Sequence, residues 1–145
     1  MKSFSVVSVN ISKEKGTVKK PVDKITCLPD SGIKGDAHAG PGKRQVSLLA
    51  EEDIHTVRAS GIQINDGDFA ENITTKGVDL SALGIGTKIQ IGEAILEISQ
   101  IGKACHSKCE IFKKVGDCIM PKKGVFAIVI KEGEIKRGDT GTYNI

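Results

Sequence analysis

The amino-acid sequence predicts a mostly β, barrel-like fold with one clear α-helix and short helical segments. Three observations carry this. Short apolar stretches recur along the whole chain, 17 glycines punctuate them, and only one segment has a clear helical pattern. With 39% hydrophobic and 3% aromatic residues, the core has to rest on Ile, Val, Leu and Ala. The 145 residues fit one domain, residues 1–145, long enough to bury a single core without staples.

Taken in order, SFSVVSVNI (3–11) alternates as a strand does, with Phe4, Val6 and Val9 facing inward. The segment KEKGTVKKPVDKI is a polar turn region, where Pro21 argues against a central strand. Residues 29–44 form a long loop with four glycines and two prolines, and loops of this length inside compact domains are usually functional or disordered. QVSLL reads as a short strand, and AEEDIHTVRASG as the helix. Its acids lie in the first turn, Arg58 near the end, and Gly61 is placed to be the C′ residue. From Ile64 onward the pattern is β, with turns at Asp66–Gly67, Lys76–Gly77 and Gly92–Glu93. TKIQI and AILEIS flank the two-residue Gly-Glu turn of a hairpin. GVFAIVI is a buried-type strand, and KEGEIKRGDTGTYNI supplies a turn and a final strand.

Composition narrows the function classes. A net charge of +3 with no Trp and one Tyr lacks the basic, stacking surface of a nucleic-acid binder. The N-terminal stretch has no continuous apolar run or cleavage site of a signal peptide, and no segment approaches a membrane span. The sequence therefore predicts a cytoplasmic protein. There Cys27, Cys105, Cys109 and Cys118 are kept reduced, and the sequons at Asn10 and Asn72 are accidental.

The segment IGKACHSKCEIF (101–112) concentrates the chemistry. Cys105, His106, Cys109 and Cys118 have the donor types of a zinc site. However, the C-x3-C spacing, the adjacent Cys and His, and the lack of a C-x2-C pair all disfavour it. The same spacing disfavours a thioredoxin-like redox pair. Free cysteines are commonly small buried hydrophobes, which suits Cys27 between Thr26 and Leu28. Cys105 stands instead among Gly102, Lys103, His106 and Lys108, and nearby cations favour the reactive thiolate. Six lysines against Glu110 and Asp117 across residues 103–123 read either as a solvated face or as a seat for an anion.

The long loop offers a second half for such a site. GIKGDAHAGPGKRQVSLL joins permissive glycines to Lys34, His38, Lys43 and Arg44, and arginine can grip phosphate oxygens bidentately. No Walker pattern is present. NDGDFAEN lacks the ligand spacing of a calcium loop. Asn72 reads as a turn- or bulge-shaping residue, with a cofactor contact as the alternative, and His55 as an ordinary surface residue.

Taken together, these blocks resemble the MOSC domain, named after the C-terminal domain of molybdenum cofactor sulfurases. The resemblance rests on GIKGDAHAG with RQVSLL, on GDFAENITTKGVDLSALGIGTKIQIGEAILEIS, and on GKACHSKCEIF with GDCIMPKKGVFAIVIKEGEIKRGD. It matches the stand-alone bacterial single-domain form, without the desulfurase domain or extra β domain of larger relatives. The resemblance implies a β-barrel-like fold and a role around molybdenum cofactor. That role is either binding of the molybdopterin anion or carriage of sulfur as a cysteine persulfide for delivery to a metal centre. It implies Cys105 as the sulfur-bearing thiol or molybdenum ligand, supported by His106. His38, Lys43, Arg44, Asn72 and Lys103 become the candidate cofactor contacts. Many relatives have a proline before this cysteine where Ala104 stands here, which leaves the choice between Cys105 and Cys109 open. Implied partners are the pterin cofactor, a cysteine desulfurase or a molybdoenzyme. No pyridoxal-phosphate lysine motif is evident in this chain, nor is a Ser-His-Asp order or a pair of acid–base carboxylates. A carrier or binding module is therefore expected ahead of an independent enzyme. A thiol-dependent enzyme acting with bound cofactor and a zinc-stabilised interaction domain are the alternatives.

Overall fold

A computed structural model of the chain describes residues 2–14, 18–37, 39–59, 61, 63–102 and 124–144. Its strands are β1 (Lys2–Ile11), β2 (Lys20–Val22), β3 (Lys24–Leu28), β4 (Gly32–Ile33), β5 (Val46–Ala50) and β6 (Ile73–Lys76). They continue with β7 (Lys88–Ile91), β8 (Ala94–Ile101), β9 (Val125–Lys131), β10 (Gly133–Lys136) and β11 (Thr140–Tyr143). One α-helix, α1 (Glu51–Arg58), and a 3₁₀ turn at Leu80–Ala82 complete the described elements.

Seven strands close a mixed barrel in the order β11-β7-β8-β9-β5-β6-β1, with β1 returning to β11. Closure removes the open edges a flat sheet would leave. β5 and β6 are parallel neighbours, and α1 lies in the crossover that a parallel pair requires. The other barrel pairs are antiparallel. β1 serves three partners: Lys2–Ser5 face β11, Ser5–Val9 face β6, and Val9–Ile11 face β2. Pro21 therefore sits in a short edge strand, where its missing N–H costs nothing. A second sheet, β10-β3-β4, lies outside the barrel order.

The expected barrel and helix are both present. Phe4, Val6 and Val9 are buried, and a register shift between Val6 and Ser8 brings Val9 inward alongside Ser8 and Asn10. Leu48, Ile73, Ile89, Leu96 and Ile98 fill the barrel interior. Leu49, Ile54, Phe69 and Phe126 form a second cluster involving the helix. Barrel closure depends on a close approach: Gly141 pairs with Phe4, and a Cβ at Gly141 would meet the Phe4 ring at 2.1 Å. Glycine leaves the space that the ring fills.

Three boundaries differ from expectation. The C-cap is Ala59, so Gly61 lies one residue beyond C′, its N–H donating to the Arg58 carbonyl. Within the loop of residues 29–44, Gly32–Ile33 pair with β3 as β4. The C-terminal stretch yields two strands, because Gly133–Lys136 pair with β3, far away in sequence.

Candidate functional site

Arg44 lies just before β5, at the end of the glycine-rich loop, and three contacts fix its exposed side chain and backbone neighbour. Its guanidinium carbon sits 5.7 Å from the Phe126 ring centre, close enough for a cation–π contact. Its Nε donates to Gln100 Oε1 at 3.4 Å. The Ser99 hydroxyl donates to the Lys43 carbonyl. Gln100 and Phe126 are register partners in the β8–β9 ladder, so one ladder position seats the arginine. Among the described residues the two Nη nitrogens of Arg44 have no hydrogen-bond partner, which leaves the fork available to a planar or tetrahedral anion.

The same ladder leads to the cysteine-bearing segment. Gln100 Nε2 donates to the Gly102 carbonyl at 2.8 Å, and Gly102 N–H donates to the Gly124 carbonyl at 2.7 Å. This bridge joins the two residues that flank segment 103–123 in the sequence, Gly102 and Gly124. Ser99 and Gln100, which hold the Lys43–Arg44 end of the loop, therefore lie within three residues of its root. Lys103, Cys105, His106, Cys109 and Cys118, like His38 in the loop, fall outside the described residues. Cys27 is in β3, fully buried, and burial pushes its thiol up to about 12. It is inert packing, as its sequence neighbours predicted.

Asn72 is also fully buried. Its Oδ1 accepts from the Ser47 N–H at 3.0 Å and from the Ser47 hydroxyl at 3.1 Å, while its Nδ2 donates to the Asn10 carbonyl at 3.1 Å. The side chain thus ties the start of β6 to β5 and β1. Its polar atoms satisfy the backbone of those strands inside the barrel wall.

Beside it stands a group that the sequence reading did not single out. Glu71 is completely buried, and its carboxylate accepts from Gly67 N–H, Phe69 N–H and the Thr74 hydroxyl at 3.1, 3.2 and 2.8 Å. Burial pushes its pKa up to about 7, against the hydrogen bonds from Gly67 and Thr74, which favour the charged form; nearby Asp66 adds to the rise. Asn10 Nδ2 donates to both the Glu71 carbonyl and Thr74 Oγ1, so the Thr74 proton is directed at Glu71. The available signal was local: Phe69-Ala70-Glu71-Asn72-Ile73 places an acid within an apolar run. Gly67 completes this turn at φ +88°, and a Cβ there would lie 2.3 Å from the Lys19 carbonyl oxygen.

A second unforeseen pair is Lys19 and Asp36. Their side chains are 0% exposed and meet at 2.8 Å, and Asp36 Oδ1 also accepts from Ser12 N–H at 3.1 Å. Lys19 Nζ further donates to the Ser12 hydroxyl at 3.1 Å. Among the described residues, no group of three or more His, Cys, Asp or Glu side chains could hold a metal ion. No described helix is long and apolar enough to cross a membrane. His55 is largely exposed, 3.7 Å from Glu51.

Comparison with known proteins places this arrangement. The family model described as "MOSC domain" matches residues 34–142. The uncharacterized protein YflK of Bacillus subtilis is 25% identical, the alignment covering 93% of this chain and 71% of the relative. The crystal structure of the YuaD protein from Bacillus subtilis superposes with a TM-score of 0.81 at 21% identity, over 97% of this chain and 94% of that one. YiiM from Geobacillus stearothermophilus gives a TM-score of 0.73 at 20% identity, over 98% and 75%. These likenesses show a shared fold.

Proposed function

The chain belongs to the MOSC domain family, and from that premise we propose that it binds the anionic molybdopterin cofactor and carries sulfur on a cysteine for delivery to a metal centre. The observation that supports this most is the junction between the cation loop and the root of the cysteine segment. Arg44 is held on Phe126 and Gln100, two register positions from the Gly102–Gly124 bridge. The candidate anion contacts and the residues that flank the cysteine-bearing segment in the sequence thus share one end of the β8–β9 ladder.

In this reading Arg44 and Lys43 receive the cofactor's phosphate, with His38 and Lys103 as further cationic contacts. The π-face of Phe126 and the Gln100 amide orient the guanidinium, so its two Nη groups reach the anion without a search through rotamers. Asn72 contributes from inside the wall, by fixing β5 behind Arg44. The donor set fits a phosphorylated pterin: a fixed arginine for the phosphate and cysteine sulfur as a soft ligand. When bound, the cofactor supplies a redox-active metal with affinity for soft sulfur.

The chain's own sulfur step is thiol exchange. The thiolate of Cys105, or of Cys109, attacks the terminal sulfur of a donor persulfide. A new sulfur–sulfur bond forms, the donor's bond breaks, and the donor leaves as a thiolate, with no net oxidation. The cations His106 and Lys103 favour the ionised nucleophile.

Mass spectrometry after incubation with a cysteine desulfurase and cysteine tests the carrier step. The expected product is heavier by one sulfur atom, and Cys105→Ala abolishes the adduct. Adduct loss only in Cys109→Ala would exchange the roles of the two thiols. An adduct that survives in both variants would overturn the assignment. Cys27 does not confound the experiment, because burial holds it as a thiol. Stoichiometric zinc in the purified protein, with unfolding on chelation, would replace this reading by a zinc-stabilised domain.

A further inference from the structure

We infer that the buried Lys19–Asp36 pair is the positioning element of the anion site: it clamps the glycine-rich loop to the end of β1 so that Lys43 and Arg44 are presented together. The role of the presented residues rests on the reading above; the clamp itself does not. The loop is tied to the barrel on two sides. On one side, Asp36 Oδ1 receives both Lys19 Nζ and Ser12 N–H, and Ala37 N–H donates to the Ser12 carbonyl at 2.7 Å. On the other, the Ser99 hydroxyl holds the Lys43 carbonyl. Residues 39–42 lie between these ties.

Among the described residues, this intervening stretch makes no hydrogen bond to a barrel strand. Its described backbone bonds turn back into the loop: Ala39 N–H donates to Asp36 and Gly40 N–H to Ser31. Gly40 and Gly42 have φ of +147° and +118°, and a Cβ on either would meet nothing within 4 Å. Such a segment is ordered by its ends. The end at Asp36 is held by an ion pair removed from solvent, with Ser12 satisfying atoms of both partners. Two charges are expensive to desolvate, and an apolar pair would often be as stable, so this pair is better explained by the geometry it enforces than by stability alone.

The pair links three places in the chain. Lys19 follows the β1–β2 turn, and its backbone N–H bonds to the Gly67 carbonyl at 2.8 Å. Asp36 belongs to the loop, and Ser12 ends the chain leaving β1. The clamp therefore ties the loop to the Glu71 turn through Lys19, while Ser99 ties it to the root of the cysteine segment.

The test uses the full chain. Asp36→Ala alone would strand a buried ammonium and can fail to fold, so the informative protein is the double variant Lys19→Met/Asp36→Ala. Amide hydrogen exchange, measured without any ligand, is expected to rise about tenfold or more over residues 36–44 while β5 and β8 stay protected. Molybdopterin binding, followed by fluorescence of the pterin, is expected to weaken by about tenfold as loop ordering is charged against affinity. A folded double variant with wild-type exchange over residues 36–44 would overturn the clamp. Faster exchange with unchanged molybdopterin affinity would overturn its role in presenting the site. A wild-type protein that binds no molybdopterin, together with faster loop exchange in the variant, would sink the proposed function and leave the clamp standing.

Discussion

Glu71 shows how strongly position can alter one side chain. A carboxylate so buried binds its proton more tightly in the folded chain than in the unfolded one, with a pKa of about 7 against the ordinary 4.5. The folded state then holds more protons between these values, so its stability falls as pH rises through that window. The contribution is complete below the unfolded value and lost above about pH 7, a difference of roughly 3 kcal/mol. Urea unfolding of the wild type from pH 4 to 8 is expected to show this decline. Glu71→Gln, which cannot ionise, should flatten it. A wild-type curve that rises through the window would show that the three donors at the carboxylate outweigh burial. The acids of this turn are visible in NDGDFAEN, but nothing in their spacing marks Glu71 as buried. The buried state of Glu71 comes instead from a register that folds Gly67, Phe69 and Thr74 around it. Lys19 and Asp36 were hidden for a similar reason: neither type is expected inside, and only the fold brings them to 2.8 Å.

At the scale of the elements, periodicity revealed what was locally encoded. The β7–β8 hairpin was legible because Gly92 stands at the first turn position with φ +59° between two alternating stretches. β4 and β10 were not, since each is short and owes its strand geometry to pairing with the distant β3. The β1–β11 seam gives a prediction of the same kind. Phe4 packs over Gly141 and lies 6.1 Å from the Tyr143 ring, so the first and final strands are sealed by an aromatic pair across a glycine. Gly141→Ala forces the ring out of its place at the closure point and should cost about 1–3 kcal/mol, the range for overpacking a core. Gly84, whose added Cβ would come no nearer than 4.0 Å to Thr87 Oγ1, is the matched control. Gly84→Ala is expected within about 0.5 kcal/mol of wild type. Thermal unfolding of the two variants decides it: equal midpoints would mean that the seam is not tightly packed.

For the whole molecule, the barrel brings two long connections to one end of the β8–β9 ladder. The loop cations could be identified in the sequence by type, as a glycine-rich stretch ending in Lys43 and Arg44. What the sequence did not show was the seat. Gln100 and Phe126 are ordinary residues whose importance comes from contacting the Arg44 side chain, and Ser99 from holding the Lys43 carbonyl beside it. Because Arg44 is exposed, its removal should change the unliganded stability by only about 1 kcal/mol, the scale of an exposed cation–π contact. Its effect on the bound state should be larger. A ligand at a hundredfold excess over its Kd stabilises the folded state by about 2.7 kcal/mol. In a chain of this size that is a rise of roughly 5–10 °C in Tm. Wild-type protein titrated with molybdopterin should show such a rise, and Arg44→Ala should lose most of it at the same ligand concentration. Arg44→Lys sharpens the test, since an ammonium keeps the charge but lacks the planar fork. A lysine variant as strongly stabilised as wild type would make the site a simple point of positive charge. Intermediate stabilisation would support bidentate recognition by a guanidinium held on Phe126. Equal shifts in wild type and Arg44→Ala would remove Arg44 from the site altogether.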